Sequence, residues 1–206
     1  MTRGAVNRRF FAARAEVADA FVRMAARKNL TLYGLLSDIL EKVVDLDNLG
    51  VPLNEAIHGF QLCRTAKEIG YAFVPESLWY NAAEVSLKSN REQTEKRFAE
   101  AGEWIGKYVL AKSRGTDPTK YMVSCLEPLG CDATELSIDA NDRIHIRCVN
   151  PRHSLSYAES FSTLLRRAIE TLGYVCENKT VSRGMVLLSL RRDPQLERKM
   201  RGEILA

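Results

Sequence analysis

ATELSIDANDRIHIRCVNPRHSLSYAESFSTLLRRAIETLGYVCENKTVSRGMVLLSLRR, residues 133–192, is the stretch whose periodicity decides the fold. ATELSIDA (133–140) and RIHIRCV (143–149) alternate with a period of two, and Asn141-Asp142 between them is a hairpin signal. In the second strand Ile144, Ile146 and Cys148 share one face, with Arg143, His145 and Arg147 on the other, and Pro151 ends it. The period then becomes helical over 154–172, with Ala158, Phe161, Leu165, Ala168 and Leu172 on one side and Gly173 as the stop. YVCENKTV and MVLLSLRR form a second hairpin around Ser182-Arg183-Gly184, and the continuously apolar MVLLSL reads as a central strand. The expected class is α+β, with a C-terminal ββαββ antiparallel unit over 131–192 and a tail over 193–206, a polar helix or a frayed end.

Upstream, 48–130 reads as helical. LNEAIHGFQLCRTAKEIG carries Ile57, Phe60, Leu62, Ala66 and Ile69 and stops at Gly70. YAFVP is short and extended, and SLWYNAAEVSL is a further helix behind Pro75. A long helix from about Arg91 to Ala111 carries Phe98, Trp104, Ile105, Tyr108 and Val109. SRGTDP breaks it, and PTKYMVSCLEPLG gives one more short helix.

At the N-terminus, NRRFFAA (7–13) is a short extended segment. RAEVADAFVRMAARKN follows, with Val17, Ala20, Phe21, Met24 and Ala25 forming an amphipathic stripe that ends at Asn29. Thr31 caps LYGLLSDILEKVVDL, whose stripe is Leu32, Leu35, Leu36, Ile39, Leu40, Val43 and Leu46. Two helices alone cannot cover so wide a stripe, so a partner is expected.

Charge singles out the same segment. Of 206 residues, the first thirty hold seven basic side chains against Glu16 and Asp19, a balance of +5 in a chain whose net charge is +4. Such an end is either the footprint of a polyanion-binding element or a basic solvated tail. No apolar run approaches the roughly 20 residues a membrane span needs, and MTRGAVNRRFF has no apolar core of a secretory signal. A cytoplasmic location and no membrane partner are therefore expected.

The order NRRFFAA, EVADAFVRMAARKN, LTLYGLLSDILEKVV resembles the ribbon-helix-helix family of DNA-binding domains over roughly residues 7–47, under a quarter of the chain. The resemblance implies a homodimer that pairs two strands into a ribbon for the major groove of double-stranded DNA and packs the second helices together. It points Arg9, Phe11 and Ala13 inward and Arg8, Phe10 and Ala12 outward. Arg8 then reads a guanine edge, Phe10 touches a thymine methyl, and Arg9 reaches a phosphate at the ribbon end. The backbone N–H groups at Thr31 and Leu32 meet a phosphate, with Arg3, Arg14 and Lys28 as non-specific phosphate contacts. The sequence departs from the family pattern at Phe10 and Ala12, where polar residues are usual, so a dimerisation module without DNA binding is the alternative.

Residues 1–47 are thus read as a dimerisation and DNA-binding domain, and 48–206 as an α+β body that senses a small-molecule effector or extends the dimer. Helices followed by ββαββ also resemble the small-ligand domains of the 4-vinyl-reductase family, in element order alone. Trp79, Tyr80, Trp104 and Tyr108 are either pocket lining or plain core. His145 with Arg143 and Arg147 is an anion site or a solvated strand face, and His153 with Ser154 and Ser156 reads as a helix cap. Cys148 and Cys176 are expected as core thiols, and a Cys125–Cys131 disulfide across the turn is open only in an oxidising or hyperthermophilic setting. No metal-ligand spacing, nucleophile motif or phosphate loop is present, so neither an enzyme nor a cofactor is expected. The function expected is a homodimeric DNA-binding transcriptional regulator. A structural protein using the hairpin only to dimerise and a ligand-binding sensor are the alternatives.

Overall fold

The computed structural model describes residues 12–113, 117–129, 133–139 and 142–198. The chain divides into two compact units, Met1–Gly59 and Phe60–Ala206, the division falling inside a helix.

The first unit holds α1 (Ala15–Arg27), α2 (Leu32–Asn48) and the start of α3 (Leu53–Ile69). Local geometry makes the turn between α1 and α2. Asn29 adopts a left-handed backbone, φ 54°. The N–H of Leu30 donates to Ala25 O at 3.0 Å and that of Asn29 to Ala26 O at 3.2 Å, the paired bonds of a Schellman cap. Thr31 Oγ1 then accepts from Gly34 N at 3.0 Å and starts α2. A second such cap ends α2, where Gly50 is left-handed and Val51 N donates to Leu46 O.

The second unit continues with α4 (Glu76–Ser89), α5 (Arg91–Lys112), α6 (Pro118–Leu126) with a 3-10 turn at Glu127–Leu129, β1 (Ala133–Ile138), β2 (Arg143–Val149), α7 (Leu155–Glu170), β3 (Tyr174–Ser182) and β4 (Met185–Arg192). The four strands form one antiparallel sheet in the order β1-β2-β4-β3. The two hairpins are thus joined through β2 and β4, and the apolar β4 is an inner strand, as its composition predicts. Ile144, Ile146 and Cys148 of β2 and Val186, Leu188 and Leu190 of β4 are buried. They pack with Phe161, Leu165, Ala168 and Ile169 of α7 and with Ile105 and Val109 of α5 in one apolar cluster. The layers run from sheet to α7 to α5, and α4 packs on both α5 and α7.

A β-bulge interrupts the pairing of β3 with β4 between Cys176 and Asn178. The extra residue, Glu177, places its carboxylate 3.2 Å from Arg143 Nε and 3.0 Å from Arg191 Nε. On the outer face of β2, Arg143, His145 and Arg147 are paired with Glu177, Asp139 and Glu135, which makes this the solvated face of the sheet and not an assembled anion site.

Cys125 is a free, buried thiol, so the turn disulfide left open above does not form through it. The expectation that Cys148 and Cys176 are both core thiols is corrected. Cys148 is buried as expected but is disulfide-bonded, not a thiol. Cys176 is free and only half-buried, because β3 is an edge strand. The segment read as a ribbon strand (7–13) lies outside the described residues up to position 11, as do Arg3, Arg8, Arg9 and Phe10, and its last residues, Ala12 and Ala13, lead into α1 without regular structure. Among the described residues no helix is long and apolar enough to cross a membrane.

Helices α5 and α7 approach closely because α5 has glycine at 102 and 106. A Cβ on Gly106 would sit 2.7 Å from Ala168 O and 2.5 Å from Thr171 Cβ, and one on Gly102 would overlap the Leu164 carbonyl. Gly106→Val should therefore destabilise the protein by about 1–3 kcal/mol through overpacking, measured as a lowered midpoint in urea. Glu68 ties the end of α3 to α5. It accepts from Lys112 Nζ at 2.9 Å, Tyr108 OH at 2.8 Å and Arg64 Nε at 2.9 Å, and these donors lower its pKa from the ordinary 4.5 to about 2. The folded value lies below the unfolded one, so this contribution is complete above pH 4.5 and is lost as pH falls toward 2. Glu68→Gln should flatten that part of an acid-unfolding curve and leave the slope above pH 5 unchanged.

Candidate functional site

The sequence-derived DNA contacts that are described all lie on the α1–α2 hairpin. Arg14 is the N-cap of α1, Lys28 its C-cap, Thr31 the N-cap of α2 and Leu32 the first residue of α2. Ala12, Arg14, Lys28, Thr31 and Leu32 are all exposed. Lys28 lies three positions before the α2 cap, so a basic end of α1 adjoins the start of α2. The apolar side of the hairpin is only partly covered. Among the described residues of this unit only Ala25 and Leu35 are buried. Leu36, Ile39, Val43 and Leu46 are half-buried, and Leu32, Leu40 and Val44 are exposed.

The body holds a buried polar and aromatic cluster that joins Tyr80 and His153, read separately in the sequence, to Asn150 and Glu76. Pro75 caps α4, and α4 turns Tyr80 toward the segment between β2 and α7. Tyr80 OH donates to Glu76 Oε1 at 2.7 Å, since a carboxylate only accepts. Its lone pairs receive Asn150 Nδ2 at 3.1 Å and His153 Nε2 at 3.2 Å, which makes Nε2 the protonated nitrogen of that imidazole. Asn150 and His153 are buried, and the His153 ring is enclosed by Tyr80, Tyr157 and Phe161, with centroids at 5.3, 4.6 and 5.4 Å. Arg152 Nη1 pairs with the other oxygen of Glu76 at 2.7 Å.

Ser154 caps α7 as the sequence predicts, accepting from Tyr157 N at 3.1 Å, and its hydroxyl also donates to Glu84. Trp79 Nε1 donates to Tyr157 OH at 2.8 Å. The bond from Tyr80 lowers the Glu76 pKa against the effect of burial. Burial, with the carboxylate beside it, raises that of Tyr80, and burial raises that of Tyr157. Tyr80 is therefore held as a neutral phenol, and the cluster works as a lock between α4 and the start of α7.

Of the four aromatics Tyr80 and Tyr108 pack against the apolar core cluster, as the core reading expects, and the two tryptophans do not. Trp79 and Trp104 are 45% and 56% exposed, so they are not core. Each anchors its indole N–H, Trp104 on Ile69 O at 2.8 Å. Tyr108 bonds Glu68 and lies tilted against the Tyr121 ring. They line neither of two clefts found in the body. One of about 250 Å³ is bordered by Glu103, Arg167, Glu170, Thr171, Tyr174 and Leu196. The other, about 360 Å³, is bordered by Arg91, Glu95, Glu159, Thr163 and Lys179. Arg167 is paired with Glu103 and Glu170, and Arg91 with Glu95 and Glu159, so most of the lining charge is already neutralised. Among the described residues no three His, Cys, Asp or Glu side chains cluster as metal ligands.

The chain matches no protein-family model, no curated protein and no solved structure. For the buried lock, Tyr80→Phe removes one hydroxyl and leaves Asn150 Nδ2, His153 Nε2–H and Glu76 Oε1 without that partner. It should cost about 1–3 kcal/mol, read from urea unfolding.

Proposed function

We propose that the protein is a homodimeric DNA-binding transcriptional regulator of ribbon-helix-helix type. In this reading the N-terminal hairpin is the DNA-binding and dimerising head, and the α+β body senses an effector or extends the dimer. The observation that carries the proposal is the partly covered hairpin. Val17, Leu32 and Leu40 of the stripe are 38–44% exposed, with Val22, Tyr33 and Val44 exposed at its flank, while only two residues of the unit are buried among those described. A helix pair with so little interior of its own gains its stability by burying that stripe against another surface. A twin hairpin supplies the same stripe across a two-fold axis.

The charge of the segment gives the partner its chemistry. Arg3, Arg8, Arg9, Arg14 and Lys28 lie on the head or lead into it, and two copies double that charge on one edge. Arg8 reads a base edge, Phe10 and Ala12 supply apolar contact in the groove, Arg3, Arg9, Arg14 and Lys28 hold phosphates, and the N–H groups at Thr31 and Leu32 cap one more. The dimerisation-only alternative is distinguished by the same measurement.

Fluorescence anisotropy of the full chain on duplex DNA should show binding that weakens about a thousandfold between roughly 50 and 200 mM salt. Arg8→Ala should relax preference at one base position by about 1–3 kcal/mol, and Leu40→Glu should yield monomers by sedimentation and abolish binding. A dimer that binds no duplex at low salt overturns the regulator and leaves the interaction module. A wild-type monomer overturns both.

A further inference from the structure

We infer that α4 carries a second self-association surface, through which the body pairs with the body of another copy. Helix α4 is apolar on two sides. Ala83 and Leu87 face the core of the body, and Leu78, Ala82 and Val85, at the spacing i, i+4, i+7, face outward. Leu78 is 61% exposed and Val85 67%. Trp79 flanks this stripe with its indole held by Tyr157, and Phe73 and Val74, 80% and 50% exposed, lie just before the Pro75 cap. A helix apolar on both sides is characteristic of an interior position, and here one side has no cover.

The area suits a dimer. From these exposures the five large side chains present on the order of 500 Å² of apolar surface, more than the few hundred Å² of an ordinary surface patch. With a rim of Ser77, Asn81, Ser86 and Ser89 it approaches the ~800 Å² that each partner contributes to a standard interface.

The occupant follows from charge and shape. The outward face is neutral apart from Lys88 at its C-terminal edge, so it has nothing to complement in a strongly charged partner. Its flanks are Ser and Asn, whereas a membrane-surface helix carries Lys and Arg along its polar border. A second α4, antiparallel and centred on Ala82, is complementary. The two Lys88 side chains fall at opposite ends of the contact, so the like charges are kept apart. Trp79 comes opposite Val85 of the copy, and the small Ala82 at the crossing permits an axial separation of roughly 8 Å. Such an isologous contact closes after two copies.

The inference does not rest on DNA binding or on pairing by α2, and its test separates them. In a full-chain Cys63→Ser background, which removes the exposed thiol, Ala82→Cys should be joined into a covalent dimer by a short bis-maleimide. Lys96→Cys, exposed on α5, should not, and adding Leu78→Glu should abolish the Ala82→Cys product with the circular dichroism spectrum unchanged. Cross-linking that survives Leu40→Glu upholds the α4 contact whatever becomes of the head. No cross-link in a protein that sediments as a dimer overturns the inference and leaves the head dimer standing. A monomer in which Ala82→Cys resists maleimide overturns it in favour of cover by the chain's own segments. A monomer with Ala82→Cys freely labelled overturns it outright, and lipid-vesicle flotation of that monomer would assign the face to a membrane.

Discussion

The body depends on one helix with almost no wet side. Helix α7 buries Tyr157, Ala158, Phe161, Leu164, Leu165, Ala168 and Ile169, which between them meet the sheet, α5 and α4. An apolar sheet face and an apolar helix each need a cover, and α7 covers both. The arrangement requires α5 to come near enough to leave no void, which Gly102 and Gly106 permit by offering backbone where side chains would collide with the carbonyls of Leu164 and Ala168. It also requires that polar groups inside α7 be satisfied. Ser160 and Ser162 turn their buried hydroxyls onto the carbonyls of Ser156 and Glu159 in their own helix.

The head is stabilised in another way. It has no comparable interior, and its shape comes from chain chemistry at the turns: a left-handed Asn29, a threonine cap, a left-handed Gly50. Such devices are worth about a kcal/mol each and orient helices without burying them. The unit is therefore well specified in geometry and poorly supplied with core, a combination suited to a module whose remaining stability comes from association. The body's α4 repeats the theme on a smaller scale, being secured on its inner side by the Tyr80 lock while its outer side stays apolar.

Much of this was legible in the amino-acid order, for physical reasons that differ by element. The strands are visible because β2 alternates strictly and because turn residues stand at both hairpins, with Asp142 and Gly184 left-handed as such turns demand. The inner position of β4 is visible in MVLLSL. The helix starts at Thr31 and Ser154 are visible because a cap is a local interaction three residues long. The rest depends on residues far apart in the chain. Nothing near His153 announces that Tyr80, 73 positions away, will bond it. Cys148 looks like any inward strand residue, and its disulfide is a matter of meeting in space. The tryptophans look like core because they are large, yet each is retained at the surface by one indole N–H bond that no periodicity encodes.

The bulge at Glu177 has a consequence for how the protein lives in a crowded solution. An outermost strand of nine residues is an open invitation to a fifth strand, because its unmatched amides and carbonyls run in step. One surplus residue puts β3 out of step midway, and the carboxylate it carries is clasped by two arginines of the strands behind it. A stranger's strand arriving at that rim can match one part or the other but not both, which works against extension of the sheet past β3.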